Sequence, residues 1–316
     1  MKLFAVFAYK FTGRPIPPDI PIHIRTSFVM DRSVKYVIYI VMQLSVVYQG
    51  GFGNQLFQIF ATISFARKWN MNPIFPDKIH TAVSRKKTYW DSFLKNLSPF
   101  LSSSLFQKKI YQLPVLDFYR KVDIPPPPSE ILTNCDLIVL LGYFQSYAYF
   151  HHDFDYIYTL LGIDDFKQEL RTAYAPLFKT NTTVSLHFRI GDYDRTDVLG
   201  LGYYIAALSK LCGCGPHRIL CFGEKENLYE IQEYVDALRR RFPAFEFILA
   251  DFDCEDWQQV VLMSLCQHNI IANSTFSYFG AYFNMHADKR VFYPDTLKTE
   301  CPESWTKIES LPPTTT

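Results

Sequence analysis

Apolar segments and helical segments alternate regularly through the second half of the chain, from residue 183 onward. Their periodicity predicts strands near 183–190, 218–222, 245–249, 269–273 and 290–293. It predicts helices between them, near 202–211, 226–240, 255–266 and 276–287. Strand–helix alternation of this kind builds a parallel sheet with helices on both faces. We therefore expect one doubly wound α/β domain in this half.

The first half of the chain is less regular. Its pattern predicts a long apolar strand at 34–48, a helix at 54–69, a short strand near Pro73 to Phe75 and another strand at Leu137 to Leu141. The run Pro125 to Pro128 has the composition of a surface connection. Strands and helices alternate here too, so a second parallel sheet is expected.

The length of the chain indicates two domains, because 316 residues exceed the usual size of a single core. We expect an N-terminal domain at 34–180 and a C-terminal domain at 181–316. Residues 1–33 are expected to form an irregular N-terminal extension. The fold class is α/β, with two Rossmann-like domains.

Composition excludes several classes of protein. With 32 Lys and Arg against 31 Asp and Glu and no basic block, the chain lacks the footprint of a nucleic-acid binder. The seven cysteines are irregularly spaced, and Cys212-Gly-Cys214 lacks zinc-finger spacing, so we expect reduced thiols and no metal site. The apolar run at 34–48 is shorter than the roughly 20 residues of a membrane span. Without a clear membrane anchor, a soluble, cytoplasmic location is favoured over a Golgi or membrane-associated one.

The segment NIIANSTFSYFGAYFN at 269–284 predicts an anion site. A short apolar strand runs into a hydroxyl-rich turn that opens an aromatic helix. Such a junction points backbone N–H groups and hydroxyls at one spot, which suits a phosphate. The candidate contacts are Asn273, Ser274, Thr275, Phe276 and Ser277.

A glycine-rich turn lies between the long strand and the helix of the first half. Glycines there let the backbone approach a ligand closely, and the helix N-terminus adds a positive end. The candidate contacts are Gly51, Gly53, Asn54 and Gln55. A dinucleotide fingerprint is incomplete, because Leu56 replaces its third glycine, although Asp77 lies near the distance expected of a ribose-binding acid. A tight strand-to-helix turn without a ligand remains the alternative.

The segment TVSLHFRIGDY at 183–193 places charged groups at the end of a predicted strand. Period-two alternation puts His187 and Arg189 on one face, at the edge where open α/β sheets bind ligands. Arg189 can hold a diphosphate through charge-assisted contacts. Asp192 follows in the next turn and can pair with Arg189 or act as a base. The alternative is a structural Arg189–Asp192 ion pair beside a core histidine.

Four segments resemble the landmarks of glycosyltransferase family 11, the α-1,2-fucosyltransferases, in order and in spacing. They are GGFGNQLFQ from Gly50, GYFQS from Gly142, HFRIGDY from His187 and LMSLCQHNIIANSTFSYFGAY from Leu262. Together they span the chain from about residue 35 to its C-terminus. The resemblance implies a GT-B-like arrangement of the two domains.

The resemblance also implies a reaction. It is the transfer of L-fucose from GDP-fucose to a galactose hydroxyl of a glycan, with inversion at the anomeric carbon and without metal or cofactor. On that basis Arg189 neutralises charge on the departing GDP, while Asn54, Ser274 and Thr275 complete the diphosphate cradle. His187 would lie against the nucleoside. Asp192 is the candidate base, preferred to Asp197.

Several positions depart from the family pattern. Ile190 stands where many members have a second arginine, and Gln259 where an acidic residue is common. Gly223-Glu224-Lys225 replaces a serine and an acidic pair. These departures keep a second hypothesis open, a catalytically silent relative that binds glycans or nucleotide sugars. A dehydrogenase built on Gly51-x-Gly53 is the third.

Overall fold

A computed structural model of the chain describes residues 25–31, 34–40, 42–77, 87–105, 108–115, 117–178, 182–191, 197–212, 217–250 and 253–309. Contacts divide these residues into two units. The first unit holds the described residues up to Gly50 and from Gln55 to Leu161. The second unit holds Gly51–Asn54 and the described residues from Gly162 onward. The glycine turn of the first half is therefore part of the second unit.

The predicted single strand at 34–48 is wrong, because this apolar run forms two strands. Strand β1 (Arg25–Asp31) pairs antiparallel with β2 (Val34–Ile40). Strand β3 (Gln43–Val46) pairs instead within a parallel sheet. An apolar run shows burial but not its pairing partner, so the pattern could not reveal the break. Residues 25–31, expected to be irregular, form a strand.

The first unit is built on a parallel sheet. Its further elements are α1 (Phe52–Trp69), β4 (Asn72–Pro73), β5 (Phe75–Pro76), β6 (Leu101–Ser102), β7 (Ile110–Pro114), α2 (Ser129–Asn134), β8 (Leu137–Leu141) and α3 (Phe154–Leu161). The order across the sheet is β4-β3-β8-β7, all parallel, and β5 and β6 form a separate parallel pair. The carboxyl ends of β3, β8 and β7 therefore meet at one edge.

Helix α1 supplies the core of the first unit, because nearly every apolar side chain along it is buried. At most 2% of each of these residues is exposed: Leu56, Phe57, Ile59, Phe60 and Ile63. The rings of Phe57 and Phe60 pack on Phe150, with centroids 5.8 and 5.3 Å apart. The helix predicted at 54–69 is thus present and begins two residues earlier.

The second unit is built on a six-stranded parallel sheet. Its elements are α4 (Ile163–Ala173), β9 (Thr182–His187), α5 (Leu201–Ser209), β10 (His217–Phe222), α6 (Leu228–Arg241), β11 (Glu246–Leu249), α7 (Asp256–Leu265), β12 (His268–Ile270), α8 (Thr275–Tyr282), β13 (Val291–Pro294) and β14 (Thr306–Ile308). The order across the sheet is β11-β10-β9-β12-β13-β14. Every strand predicted from residue 183 onward is present, and β14 is an additional one.

Helices cover both faces of this sheet. Val184 and Leu186 of β9 enter an apolar core with side chains of α5 and α6. Ser185 points to the other face, where its Oγ accepts a hydrogen bond from Asn269 Nδ2 at 2.7 Å. The same amide donates to the carbonyl of Met263 in α7 at 2.8 Å. The predicted α/β class is confirmed for each unit by its parallel sheet, and helices cover both faces of the second sheet.

Candidate active site

The carboxyl ends of β10, β9 and β12 lie side by side at one edge of the second sheet. Phe222 is in register with His187, and Ile270 with Leu186, in parallel pairings. The segments that follow these strands carry the charged and hydroxyl groups singled out from the sequence. This edge is where open α/β sheets bind ligands, because loops and helix N-termini converge there.

Arg189 pairs with Glu224, which follows the neighbouring strand β10. Arg189 Nη1 donates to Glu224 Oε1 at 2.5 Å, and the other oxygen, Oε2, accepts from Asn227 Nδ2 at 3.4 Å. Only 19% of the Arg189 side chain and 38% of the Glu224 side chain are exposed. A Cβ on Gly191 would come within 2.4 Å of Asn227 Nδ2 and 2.8 Å of Glu224 Oε2. The absent side chain at 191 therefore leaves room for this cluster.

Glu224 was not identified as a site residue from the sequence, where it was noted only as a departure from the family pattern. A signal was available, since Glu224 follows a predicted strand by two residues, as Arg189 follows β9. The pairing depends on β9 and β10 being neighbours in the sheet. The carboxylate expected beside Arg189, Asp192, lies outside the described residues.

A second ion pair lies on the same edge. Lys225 Nζ donates to Asp253 Oδ1, joining the segments after β10 and β11. Both side chains are largely exposed, at 61% and 77%. Solvent screens such a pair, so it contributes little to stability. Lys225 is nevertheless a second cation on this edge, next to Glu224 in the sequence.

His187 is buried at the end of β9, with 2% of the residue exposed. Its ring lies against Phe276 of α8, with centroids 5.4 Å apart. Burial and, to a smaller extent, the nearby Arg189 charge lower the pKa of His187 to about 3. Nδ1 has no hydrogen-bond partner among the described residues. His187 is therefore a neutral imidazole that connects β9 to the start of α8.

Helix α8 begins with the hydroxyl chemistry expected from the sequence. Ser274 is its N-cap, and Ser274 Oγ accepts from the backbone N–H of Phe276 at 3.3 Å. Ser277 Oγ accepts from the N–H of Ala272 at 3.2 Å and donates to the Ser274 carbonyl at 3.4 Å. Asn273 Nδ2 donates to the carbonyl of Asp197 at 2.9 Å. Ser277 is fully buried, so it braces the turn from inside.

The glycine turn packs directly on this helix N-terminus, within the second unit. Thr275 Oγ1 donates to Asn54 Oδ1 at 2.8 Å. A Cβ on Gly53 would lie 2.4 Å from both the carbonyl carbon and oxygen of Thr275. The glycines are predicted to let the backbone approach a ligand closely. At Gly53 the close approach is instead to the backbone of Thr275 in the same unit. Gly51 differs, because nothing lies within 4 Å of a Cβ built there.

Gln55, the last candidate of the glycine turn, is committed to the first unit. Its Nε2 donates to the carbonyls of Gly50 at 3.3 Å and Lys87 at 3.1 Å, and 2% of the residue is exposed. The structure thus shows Gln55 anchoring the backbone ahead of the turn. Among the other candidates, the edge of the second sheet brings together His187, Arg189, Ser274, Thr275 and Phe276, and Asn54 joins them through Thr275.

Two tyrosines support this edge and were missed in the sequence. Tyr203 Oη of α5 donates to the carbonyl of Ile271 at 2.5 Å, and Tyr204 Oη donates to the carbonyl of His187 at 3.3 Å. Both residues are at most 1% exposed, and burial raises the pKa of each phenol. Their hydrogen bonds fix the ends of β12 and β9. Adjacent tyrosines on a helix predicted to pack on the sheet were the available signal.

The sequence predicts neither a metal site nor a membrane span. Among the described residues, no group of three or more His, Cys, Asp or Glu side chains could hold a metal ion. In the same part of the chain, no helix is both long enough and apolar enough to cross a membrane. The six cysteines within it form no disulfide with one another; they lie at positions 135, 212, 221, 254, 266 and 301.

The sequence is similar to that of a curated glycosyltransferase. The O-antigen biosynthesis glycosyltransferase WbnK of Escherichia coli is 27% identical over 301 residues, covering 78% of this chain and 91% of the relative. The chain is related to a glycosyltransferase. No protein-family model matches it.

Solved structures with a similar fold include three glycosyltransferase-like chains. A point mutant of Arabidopsis thaliana FUT1 in complex with GDP is 11% identical, with a TM-score of 0.49 and coverage of 87% of this chain and 75% of that one. The alpha-1,6-fucosyltransferase NodZ from Bradyrhizobium, co-crystallised with GDP, is 11% identical, with a TM-score of 0.46 and coverage of 76% and 92%. A family 9 glycosyl transferase of Veillonella parvula is 9% identical, with a TM-score of 0.46 and coverage of 86% and 88%. These likenesses are distant, with every TM-score below 0.5.

Proposed function

We propose that this glycosyltransferase homologue is an inverting, metal-independent fucosyltransferase. It would transfer L-fucose from GDP-fucose to a hydroxyl of an acceptor glycan, forming an α-1,2 linkage to galactose. The observation that carries the proposal is the meeting of three separated motifs at one edge of the second sheet. Asn54 and the N-terminus of α8 are joined there by the Thr275–Asn54 hydrogen bond of 2.8 Å. Arg189 follows β9 at the same edge, two residues beyond His187, whose ring packs on Phe276 of α8. The similarity to WbnK supports a glycosyl transfer reaction.

The diphosphate of the donor is the ligand that this edge suits best. Backbone N–H groups at the start of α8 and the positive end of the helix favour an anion. The Arg189 guanidinium adds a full charge and more N–H donors than the Glu224 contact uses. In the proposed complex, the diphosphate shares Arg189 with Glu224. These groups would stabilise the negative charge that develops on GDP as the bond to fucose breaks.

The reaction exchanges one bond for another at the anomeric carbon of fucose. The acceptor oxygen forms its bond to that carbon from the face opposite GDP, and the bond to the diphosphate oxygen breaks. The acceptor proton passes to a base, for which we propose Asp192. His187 is a poor candidate for this base, because its lowered pKa of about 3 leaves the neutral imidazole little tendency to take up a proton. In the proposed complex, its ring, which packs on Phe276, would form a wall of the nucleoside site.

Ile190 accounts for one departure from the family pattern. Its side chain is partly buried and packs on the apolar core of the second unit. An arginine at this position would lose that apolar contact, because its charged group would have to leave the core. We therefore propose that Arg189 alone supplies the guanidinium charge to the diphosphate from this segment.

The test is incubation of the purified chain with GDP-fucose and lactose or other galactosides. Transfer, with an α-1,2 linkage identified by NMR of the product, is the expected result, and chelation by EDTA is expected to leave the rate unchanged. GDP-mannose and UDP-sugars, compared with GDP-fucose by thermal shift, define the donor, since a bound donor stabilises the fold. Finding neither transfer nor slow hydrolysis of GDP-fucose would refute the proposal. Glycan or nucleotide-sugar binding without turnover would indicate the silent relative instead.

A further inference from the structure

A cluster of partly exposed aromatic side chains lies in the first unit, on the loop that follows β7. Phe118 and Tyr119 are 41% and 37% exposed. Tyr143, on the loop after the adjacent strand β8, joins them, with its ring 5.3 Å from that of Phe118 at an interplanar angle of 77°. We call Phe118, Tyr119 and Tyr143 the aromatic platform. No residue of this platform takes part in the site on the second unit.

Hydrogen bonds hold the platform loop in place. Asp117 Oδ1 accepts from the backbone N–H groups of Tyr119 at 3.0 Å and Arg120 at 3.1 Å. The buried phenol of Tyr149 accepts from the N–H of Val122 at 2.8 Å and donates to the carbonyl of Arg120 at 3.2 Å. The rings are therefore exposed on an anchored loop, so a ligand would not need to order it on binding.

The opposing loop is anchored as firmly and is strained. The backbone N–H of Gln145 donates to the Phe118 carbonyl at 2.8 Å, which ties the two loops together. Phe144 has a φ of 54°, in the left-handed region, and its side chain is fully buried. A bulky residue in that region is an outlier that persists where the surrounding structure enforces it. This turn buries Phe144 while leaving the neighbouring Tyr143 ring beside Phe118.

We propose that the aromatic platform binds a sugar ring of the acceptor glycan, an inference that rests on the proposed transferase function. Aromatic rings with polar tips suit a sugar, which presents an apolar face of C–H groups and a rim of hydroxyls. The hydroxyls of Tyr119 and Tyr143 supply polar partners beside the rings. The proposal thus assigns a surface of the first unit to the acceptor sugar, which the donor site does not identify.

Position and size favour a sugar over a second protein chain. The platform follows β7 and β8, so it lies at the carboxyl edge of a parallel sheet, where open α/β sheets bind ligands. Three aromatic residues of about 200 Å² each, none more than 41% exposed, offer less than about 250 Å². A stable protein interface needs about 800 Å² per partner.

The experiment measures transfer from GDP-fucose to lactose by Phe118→Ala and Tyr119→Ala variants of the full chain. We expect the KM for lactose to rise about five- to tenfold, while kcat and the slow hydrolysis of GDP-fucose stay unchanged. Phe118→Tyr should restore the KM, whereas Phe118→Leu, which keeps apolar bulk without a ring, should not. The matched control is Tyr229→Ala, which removes a 75% exposed aromatic ring of α6.

The outcomes separate this proposal from the proposed function. A wild-type KM for lactose in the folded Phe118→Ala and Tyr119→Ala variants would overturn the platform, whatever the donor. A change in sedimentation from dimer to monomer at an unaltered KM would also overturn it, in favour of self-association. If the wild type transfers no fucose, saturation-transfer NMR with lactose alone decides: loss of the lactose signal in Phe118→Ala supports the platform, and an unchanged signal overturns it.

Discussion

Gly53→Ala tests whether the glycine turn must touch the first residue of α8. A methyl group at position 53 would lie 2.4 Å from the carbonyl carbon and oxygen of Thr275 and 2.6 Å from the N–H nitrogen of Phe276. These are backbone atoms, so no side-chain rotation can relieve the overlap. To reach an ordinary contact of about 3.5 Å, the two segments must separate by about 1 Å. That movement would lengthen the Asn54–Thr275 hydrogen bond, now 2.8 Å.

The expected magnitude follows from this displacement. Overpacking of a close contact costs about 1–3 kcal/mol of stability. A misplacement of about 1 Å in a group that positions substrate can lower kcat/KM about a hundredfold. We therefore expect Gly53→Ala to retain its fold and to lose about two orders of magnitude in kcat/KM for GDP-fucose. Gly51→Ala is the stability control, because nothing lies within 4 Å of a Cβ at that position.

Urea unfolding and initial rates at varied GDP-fucose measure the two effects separately. The reasoning holds if Gly53→Ala is destabilised relative to Gly51→Ala and its donor kinetics are impaired. It fails if Gly53→Ala unfolds at the wild-type urea concentration and uses GDP-fucose with wild-type kcat/KM. The turn and the start of α8 would then accommodate the methyl group without loss of stability or function.

Three further predictions concern charge, protonation and buried polarity. Arg189→Ala should lower kcat about 10²- to 10³-fold, because it removes the charge proposed to stabilise the departing GDP. Glu224→Gln should tighten GDP binding up to about fivefold by calorimetry, because it neutralises a carboxylate that competes for Arg189. For His187, the folded pKa of about 3 lies below the unfolded value of about 6.5, so the unfolded chain takes up a proton first as the pH falls. The free energy of unfolding should therefore decrease below pH 6.5 by up to about 1.4 kcal/mol per pH unit. His187→Gln should reduce that slope in urea titrations at a series of pH values. Asn284→Ala should cost about 2–3 kcal/mol of unfolding free energy, because Nδ2 of this buried residue donates to Asn269 Oδ1 at 2.7 Å and to the Cys266 carbonyl at 2.8 Å; an unchanged urea midpoint would contradict this.

The secondary structure was largely predictable because its signals are local. Leu137–Leu141 is an unbroken apolar run, and its strand has the predicted limits. Pairing depends on distant residues, which explains the errors. The run at 34–48 divides because β2 pairs with β1 while β3 pairs with β8. Strand β14, only Thr306–Ile308, carries too short an apolar pattern to be detected, although it pairs with β13.

Site residues were predictable by type and only partly by contact. The helix cap at Ser274 follows from local sequence, because N-cap chemistry involves residues two or three positions apart. The contact between Asn54 and Thr275 spans 221 positions and could be inferred only from the family resemblance. Asn273 shows the reverse case. It is predicted to contact a phosphate, yet its amide donates to the carbonyl of Asp197.

The pairing of Arg189 with Glu224 shows why an edge of parallel strands carries function. Each strand ends at the same edge, so residues far apart in sequence acquire a shared environment through strand order alone. Glu224 offsets the Arg189 charge and fixes the direction of the guanidinium through a 2.5 Å contact. A ligand that shares this guanidinium with Glu224 has to compete as an acceptor with a partly exposed carboxylate. A diphosphate would do so, since it carries more charge and more oxygens, whereas a neutral sugar would not. Under the proposed function, Glu224 would therefore favour a nucleotide-activated donor over a neutral sugar.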